Sequence, residues 1–120
     1  MQRFMIADTS DVVRKVGKRI LSELDFLVSE ASNASETLSR FETGIPDYMI
    51  VDAGMEGALE LIAAIRALPE GKDVKIYYCV VEADLKKLMA GKRAGATDFL
   101  LKPFDRKILT AVFGNRAIAA

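Results

Sequence analysis

The stretch that most constrains this fold is residues 46–54, PDYMIVDAG. Pro46 and Asp47 punctuate it, and Tyr48, Met49, Ile50 and Val51 then run apolar without alternation. So short an apolar run, with a β-branched pair and turn residues around it, predicts a strand buried on both faces, as in a parallel sheet. The strand ends in Asp52, followed by Ala53 and Gly54, so a carboxylate stands where a buried strand meets a loop. In open parallel α/β sheets the ligand crevice lies outside the carboxyl ends of the strands. A single Asp at such a place is ordinarily a turn residue. Two other strand ends also carry charged groups, Asp8 and Lys102, and this raises the functional reading above the bland one.

The rest of the chain repeats one pattern. Residues 3–8, RFMIAD, read as a first strand ending in an acid. Thr9, Ser10 and Asp11 supply capping residues for a helix to about Leu24, on which Val13, Val16, Ile20 and Leu24 form one apolar stripe. Phe26, Leu27 and Val28 read as a short second strand. Ser32 or Asn33 caps a helix carrying Leu38 and Phe41, and Gly44 ends it. After the central strand, residues 58–68 predict a helix with Ala58, Leu61, Ile62, Ile65 and Leu68 inward, closed by the turn Pro69-Glu70-Gly71. Residues 74–81, VKIYYCVV, form the fourth strand. Asp84 opens a fourth helix with Leu85, Leu88 and Met89 as its apolar residues, softened by Gly91 and ended at Gly95. Residues 97–101 make the fifth strand, and Asp105 caps a last helix with Ile108, Leu109, Val112 and Phe113 inward. Alternating strands and helices with short connections imply a parallel sheet with helices on both faces.

Composition removes whole classes of function. At 120 residues with 51% apolar and 28% charged residues, the chain is one globular domain, 1–120, with no linker or low-complexity segment. Seventeen basic residues balance seventeen acidic ones without a basic run, so no electrostatic case exists for nucleic acid or membrane binding. Neither a signal peptide nor an apolar span is visible, which makes the cytoplasm the default compartment. The chain contains no histidine, so His-dependent triads, metal sites and general bases are out. Cys79, the sole cysteine, lies inside an apolar run and reads as a buried small hydrophobe.

Two segments carry a family resemblance. Residues 93–109, RAGATDFLLKPFDRKIL, resemble the AGA…KPF segment of CheY-like receiver domains, the phosphoacceptor modules of two-component signalling. Residues 7–21, ADTSDVVRKVGKRIL, resemble the receiver opening, where two adjacent acids precede the first helix. Asp at the ends of the first and third strands with Lys-Pro after the fifth, at this length, makes the combination specific. The resemblance covers essentially the whole chain. It implies a flavodoxin-like (βα)5 doubly wound five-stranded parallel sheet in the order 2-1-3-4-5.

The resemblance also implies a chemistry. Asp52 is the expected phosphoacceptor, a carboxylate nucleophile that forms an acyl phosphate. Asp8, Asp52 and the backbone carbonyl of Gly54 are the expected ligands of a magnesium ion, with Thr9 or Glu56 as further candidates. Lys102 is expected to contact the phosphoryl oxygens as a point charge, before a Pro103 whose peptide bond is commonly cis in the family. A sensor histidine kinase or phosphotransfer protein is implied upstream. A protein target is implied at the face made by the fourth helix, fifth strand and fifth helix, since no output domain is read in the sequence.

Three departures qualify this. Thr9 stands where receivers carry their second acid, so magnesium should bind weakly. The family's switch Thr or Ser falls on Val80, which cannot hydrogen-bond a phosphoryl oxygen, while the aromatic switch position is kept as Phe99. The loop after Asp52, GMEGA, is shorter than the family's and lacks its proline, which leaves Glu56 free to replace the lost acid or to repel phosphate. The expectation is therefore a single-domain response regulator phosphorylated on Asp52. It is not an enzyme beyond weak self-catalysed phosphorylation or dephosphorylation. The alternative is a degenerate pseudo-receiver that binds a partner regardless of phosphorylation. A flavin or phosphatase reading on the same fold is disfavoured. Thr9-Ser10-Asp11 lacks a glycine-rich phosphate cradle, and Ser10 stands where a phosphatase needs its second acid.

Overall fold

Successive side chains of a strand point to opposite faces of its sheet, and in this chain both faces are apolar. In β1 (Arg3–Ala7), Phe4 and Ile6 join one core, and Met5 and Ala7 join the other. The computed structural model describes residues 1–114; residues 115–120 of the expected 1–120 domain lie outside the described residues. The remaining elements are α1 (Asp11–Glu23), β2 (Leu27–Ala31), α2 (Ala34–Thr43), β3 (Tyr48–Asp52), α3 (Ala58–Ala67), a 3₁₀ turn (Pro69–Gly71), β4 (Lys75–Val80), α4 (Leu85–Ala94), β5 (Asp98–Leu101) and α5 (Arg106–Phe113). All pairings are parallel, and the sheet order is β2-β1-β3-β4-β5. The flavodoxin-like doubly wound fold expected from the sequence is thus the observed one.

The two cores show how the helices divide. Ile20 and Leu21 of α1 and Leu109 and Phe113 of α5 pack with Phe4, Ile6, Ile50 and Cys79. Phe41 of α2 and Leu61, Ile62 and Ile65 of α3 pack with Met5, Met49, Val51, Ile76 and Tyr78 on the opposite face, where Leu88 of α4 also rests. Met49, Ile50 and Val51 are wholly buried, as the continuous apolar run predicts. Side-chain caps set the helix starts. Ser10 Oγ accepts from the Val13 N–H, Asn33 Oδ1 from Glu36, Asp84 Oδ1 from Lys86 and Asp105 Oδ1 from Ile108. Of the two candidate caps for α2, Asn33 takes the role.

Several local readings are corrected. The second strand begins at Leu27 and runs to Ala31, past the expected end at Val28. Its polar Ser29 and Glu30 hide it from a hydrophobic pattern, yet they pair with Met5 and Ile6 along an edge of the sheet. Val16 is exposed, and Gly17 takes the buried place in the α1 stripe, where a Cβ would lie 2.9 Å from Ile6 Cδ1. Val112 of α5 also faces outward, at 42% exposure. In α4, Gly91 is not merely a soft spot. The helix comes so close to β4 that a Cβ there would stand 2.5 Å from the Tyr78 ring.

Candidate functional site

The register sets three charged groups side by side. Ala7 pairs with Val51, Asp52 with Cys79, and Val80 with Leu101, so Asp8, Asp52 and Lys102 all fall at the carboxyl edge of the sheet. Asp8 follows β1 and donates its N–H to the Ala31 carbonyl at 3.0 Å. Its side chain is 1% exposed. Oδ1 accepts from the Ser10 N–H at 2.9 Å, and the Asp8 carbonyl accepts from Arg14 Nη1 at 2.7 Å. Arg14 is itself buried and paired with Glu30, at 3.2 Å, and with Asp11. A buried arginine thus pins the turn that aims Asp8.

Lys102 closes the site. Its N–H donates to the Val80 carbonyl at 2.8 Å, and the Lys102–Pro103 peptide bond is cis. Its Nζ donates a hydrogen bond to Asp52 Oδ1 at 3.0 Å and forms an ion pair with Asp8 Oδ2 at 2.6 Å. Burial disfavours the Lys102 charge. Hydrogen bonds and charge from Asp8 and Asp52 outweigh burial and hold its pKa above the ordinary lysine value. Two carboxylates share one ammonium, which leaves a net negative charge at this edge.

The loop after Asp52 is tight. The Met55 N–H donates to the Asp52 carbonyl at 3.1 Å, and Met55 is buried. Gly57 then takes φ +76 at the start of α3, a conformation other residues adopt at a cost. Gly54 lies against the Asp52 carboxylate, close enough that a Cβ there would sit 3.5 Å from Oδ2. A cleft of about 340 Å3 opens over Asp52, walled by Gly54, Tyr78, Val80, Val81, Lys87 and Lys102. Cys79 also reaches it, but burial pushes the thiol up to about 12, so it stays protonated at neutral pH.

The residues singled out from the sequence divide accordingly. Asp8, Asp52 and Lys102 meet, Gly54 adjoins them, and Val80 walls the cleft. Phe99 is half-buried beside Val80's core and pairs in register with Tyr78. Thr9 and Glu56 are exposed, and neither lines the cleft. Sequence reasoning missed Tyr78, Val81 and Lys87. The shared face of Tyr78 and Val80 follows from strand alternation. The reach of Lys87, on another element, has no local signal.

The donors fit a magnesium ion. Two carboxylates and a neighbouring carbonyl are all oxygen, and magnesium is typically held by one or two carboxylates completed by water and phosphate. Among the described residues, Asp8 Oδ2 has no polar partner but the Lys102 ammonium at 2.6 Å, so a buried carboxylate oxygen already faces a cation that a metal ion could replace. No group of three acidic, histidine or cysteine side chains suited to a metal occurs among the described residues. Among them, too, no helix is long and apolar enough to cross a membrane.

Comparison with known proteins agrees with this geometry. A family model described as the response regulator receiver domain matches residues 4–113. The probable transcriptional regulator ycf27 of Guillardia theta is 29% identical over 110 residues, covering 92% of this chain and 43% of that protein. The chain therefore spans less than half the length of that relative. The chemotaxis protein CheY of Listeria monocytogenes is 27% identical over 106 residues, 88% of this chain and 89% of that one. Among solved structures, the chemotaxis response regulator CheY4 of Vibrio cholerae matches with a TM-score of 0.88 at 26% identity, covering 93% of this chain and 95% of that chain. With nearly every described residue matched and the sheet order in agreement, the chain belongs to the CheY-like receiver domain family of two-component response regulators.

Proposed function

We propose that the protein is a cytoplasmic phosphoacceptor that takes a phosphoryl group on Asp52 and signals by protein contact. The observation that carries this reading is the placement of Lys102 Nζ between Asp8 and Asp52 at the carboxyl edge of the sheet. In the reaction, an Asp52 carboxylate oxygen attacks the phosphorus of a phosphohistidine on a histidine kinase or phosphotransfer protein. The new P–O bond forms as the P–N bond breaks, and the imidazole nitrogen keeps the electron pair. Lys102 offsets charge on the phosphoryl oxygens. Asp8, Asp52 and the Gly54 carbonyl would hold magnesium, whose chemistry here is to neutralise that charge. The protein is an acceptor, with at most weak self-catalysed phosphorylation and hydrolysis, and not an enzyme acting on a separate substrate.

The target face we assign is α4–β5–α5. Leu85, Met89, Leu101 and Val112 are apolar residues exposed on these elements. A second reading is favoured by a specific observation. Val80 is buried at the cleft and carries no hydroxyl, so a pseudo-receiver would keep the fold and bind its target unphosphorylated.

Intact-mass analysis after incubation with magnesium and a small-molecule phosphodonor tests the assignment. The wild type should gain one phosphoryl mass, and Asp52→Ala should gain none. Label retained in that variant, or mapped to Asp8, overturns the assignment. A wild type that takes no label from donor or kinase makes the pseudo-receiver the correct reading.

A further inference from the structure

Phosphorylation of a group at this edge adds negative charge, from about −1 on a carboxylate to roughly −2 on a phosphoryl oxygen set. Lys102 is already divided between Asp8 and Asp52. Val80 offers no hydrogen bond where the family has a hydroxyl. Besides Lys102 and the metal, the cleft contains one more cation able to offset that charge. Lys87, in the first turn of α4, lines the same cleft as Asp52, Val80 and Val81. It is exposed and makes no ion pair among the described residues. Asp84, three residues earlier, is engaged as the helix cap through the Lys86 N–H at 2.8 Å. Lys86 is equally exposed but does not line the cleft. A lysine is a point charge on a flexible four-carbon stem, suited to reach a charge that develops only in one state.

We propose that Lys87 is a second phosphate-binding cation of the Asp52 site, and that it ties the acceptor to α4 by charge where Val80 cannot do so by hydrogen bonding. This rests on Asp52 being the acceptor. A ligand shifts a conformational equilibrium only through interactions that differ between the two states. A contact from Lys87 to the phosphoryl group exists in one state alone, and it acts on the helix that carries Leu85 and Met89. Being near the surface, the contact is also screened by salt.

Beryllofluoride with magnesium, titrated into the protein and read in amide spectra, is the test. Lys87→Gln should bind the mimic about fivefold more weakly than wild type at low salt, the upper range for a partly exposed ion pair. It should also lose most of the salt dependence and shrink the shifts in the first turns of α4. Lys86→Gln removes the same charge one residue away and should bind like the wild type, and Lys87→Arg should restore binding. Equal affinity of wild type and Lys87→Gln overturns the inference, as does equal weakening by Lys86→Gln. If wild type shows no shifts at Asp52 and Gly54, the acceptor assignment fails and the inference fails with it.

Discussion

Replacing Lys102 with methionine keeps most of the side-chain volume and removes the charge. Asp8, with a side chain 1% exposed, and Asp52, at 13%, then face each other's charge without a cation. Breaking a buried pair by deleting one partner costs about 3–5 kcal/mol, because a charge is left uncompensated. The open cleft admits water to Asp52, and Lys102 itself is 19% exposed, which places the expected loss near the low end, about 3 kcal/mol. With a urea slope of about 1.5 kcal/mol/M, the unfolding midpoint should fall by about 2 M. Circular dichroism of urea series on both proteins measures it. The double variant Asp8→Asn, Lys102→Met removes the stranded charge and should recover more than half of the loss. The pH dependence has a definite sign. A lysine with a raised folded-state pKa contributes stability that is complete below its unfolded value, about 10.4, and is lost as pH rises through the folded value. The wild type should therefore keep its advantage over Lys102→Met to about pH 10 and lose it above. A midpoint shift under about 0.5 M, or a double variant no better than the single one, would refute the buried-charge reasoning.

Three further outcomes follow from neighbouring residues. Thr9→Asp should tighten magnesium binding in a titration, since it adds negative charge next to Asp8 in the chain; equal affinities would mean that another group already supplies the charge. Val80→Thr should enlarge the amide shifts at Phe99 on adding beryllofluoride. One charge-assisted hydrogen bond is worth about 1.5–3 kcal/mol, or one to two decades in population, and wild-type shifts as large as the variant's would show that valine is no obstacle. Gly91→Ala gains about 1 kcal/mol of helix propensity but sets a methyl 2.5 Å from the Tyr78 ring. Overpacking of about 1–3 kcal/mol should win, and a raised melting temperature would contradict it.

The parts of this molecule that were legible in its sequence are those decided locally. Tyr48 to Val51 could be read as a doubly buried strand because no polar residue interrupts them, and Asp52 followed as a strand-end carboxylate. Asp8 and Lys102 were found in the same way. The missed features depend on what another element brings. Glu30 belongs to a strand through its pairing with Ile6 of β1, and Arg14, Lys15 and Lys18 of α1 gather round its carboxylate, which no hydrophobic pattern registers. Gly17 takes the inward place expected of Val16 where α1 lies close to Ile6, so that a Cβ at position 17 would stand 2.9 Å from Ile6 Cδ1 and displace it. Thr9 and Glu56 were candidate ligands by proximity in the chain and are exposed, whereas Lys87, 35 positions after Asp52, lines the cleft over the acceptor carboxylate without any signal in the sequence.

That difference bears on how a site with this composition can signal. A hydroxyl at position 80 would report on the phosphoryl group through a short directional bond, and the backbone bond from Lys102 to the Val80 carbonyl would carry any shift to β5. With valine there, the only responses left depend on charge. Lys102 can turn away from Asp8 toward a new phosphoryl group, or a cation from α4 can approach it. The first leaves the Asp8 carboxylate buried and unpaired, which is costly unless magnesium takes the place of the ammonium. Under the proposed function, metal binding, Lys102 position and acceptor charge would therefore form one coupled equilibrium, and weak magnesium affinity would weaken the phosphorylation response with it. If the proposed function holds, the response of such a receiver should rise with magnesium concentration, which the amide shifts on adding beryllofluoride at increasing magnesium would measure.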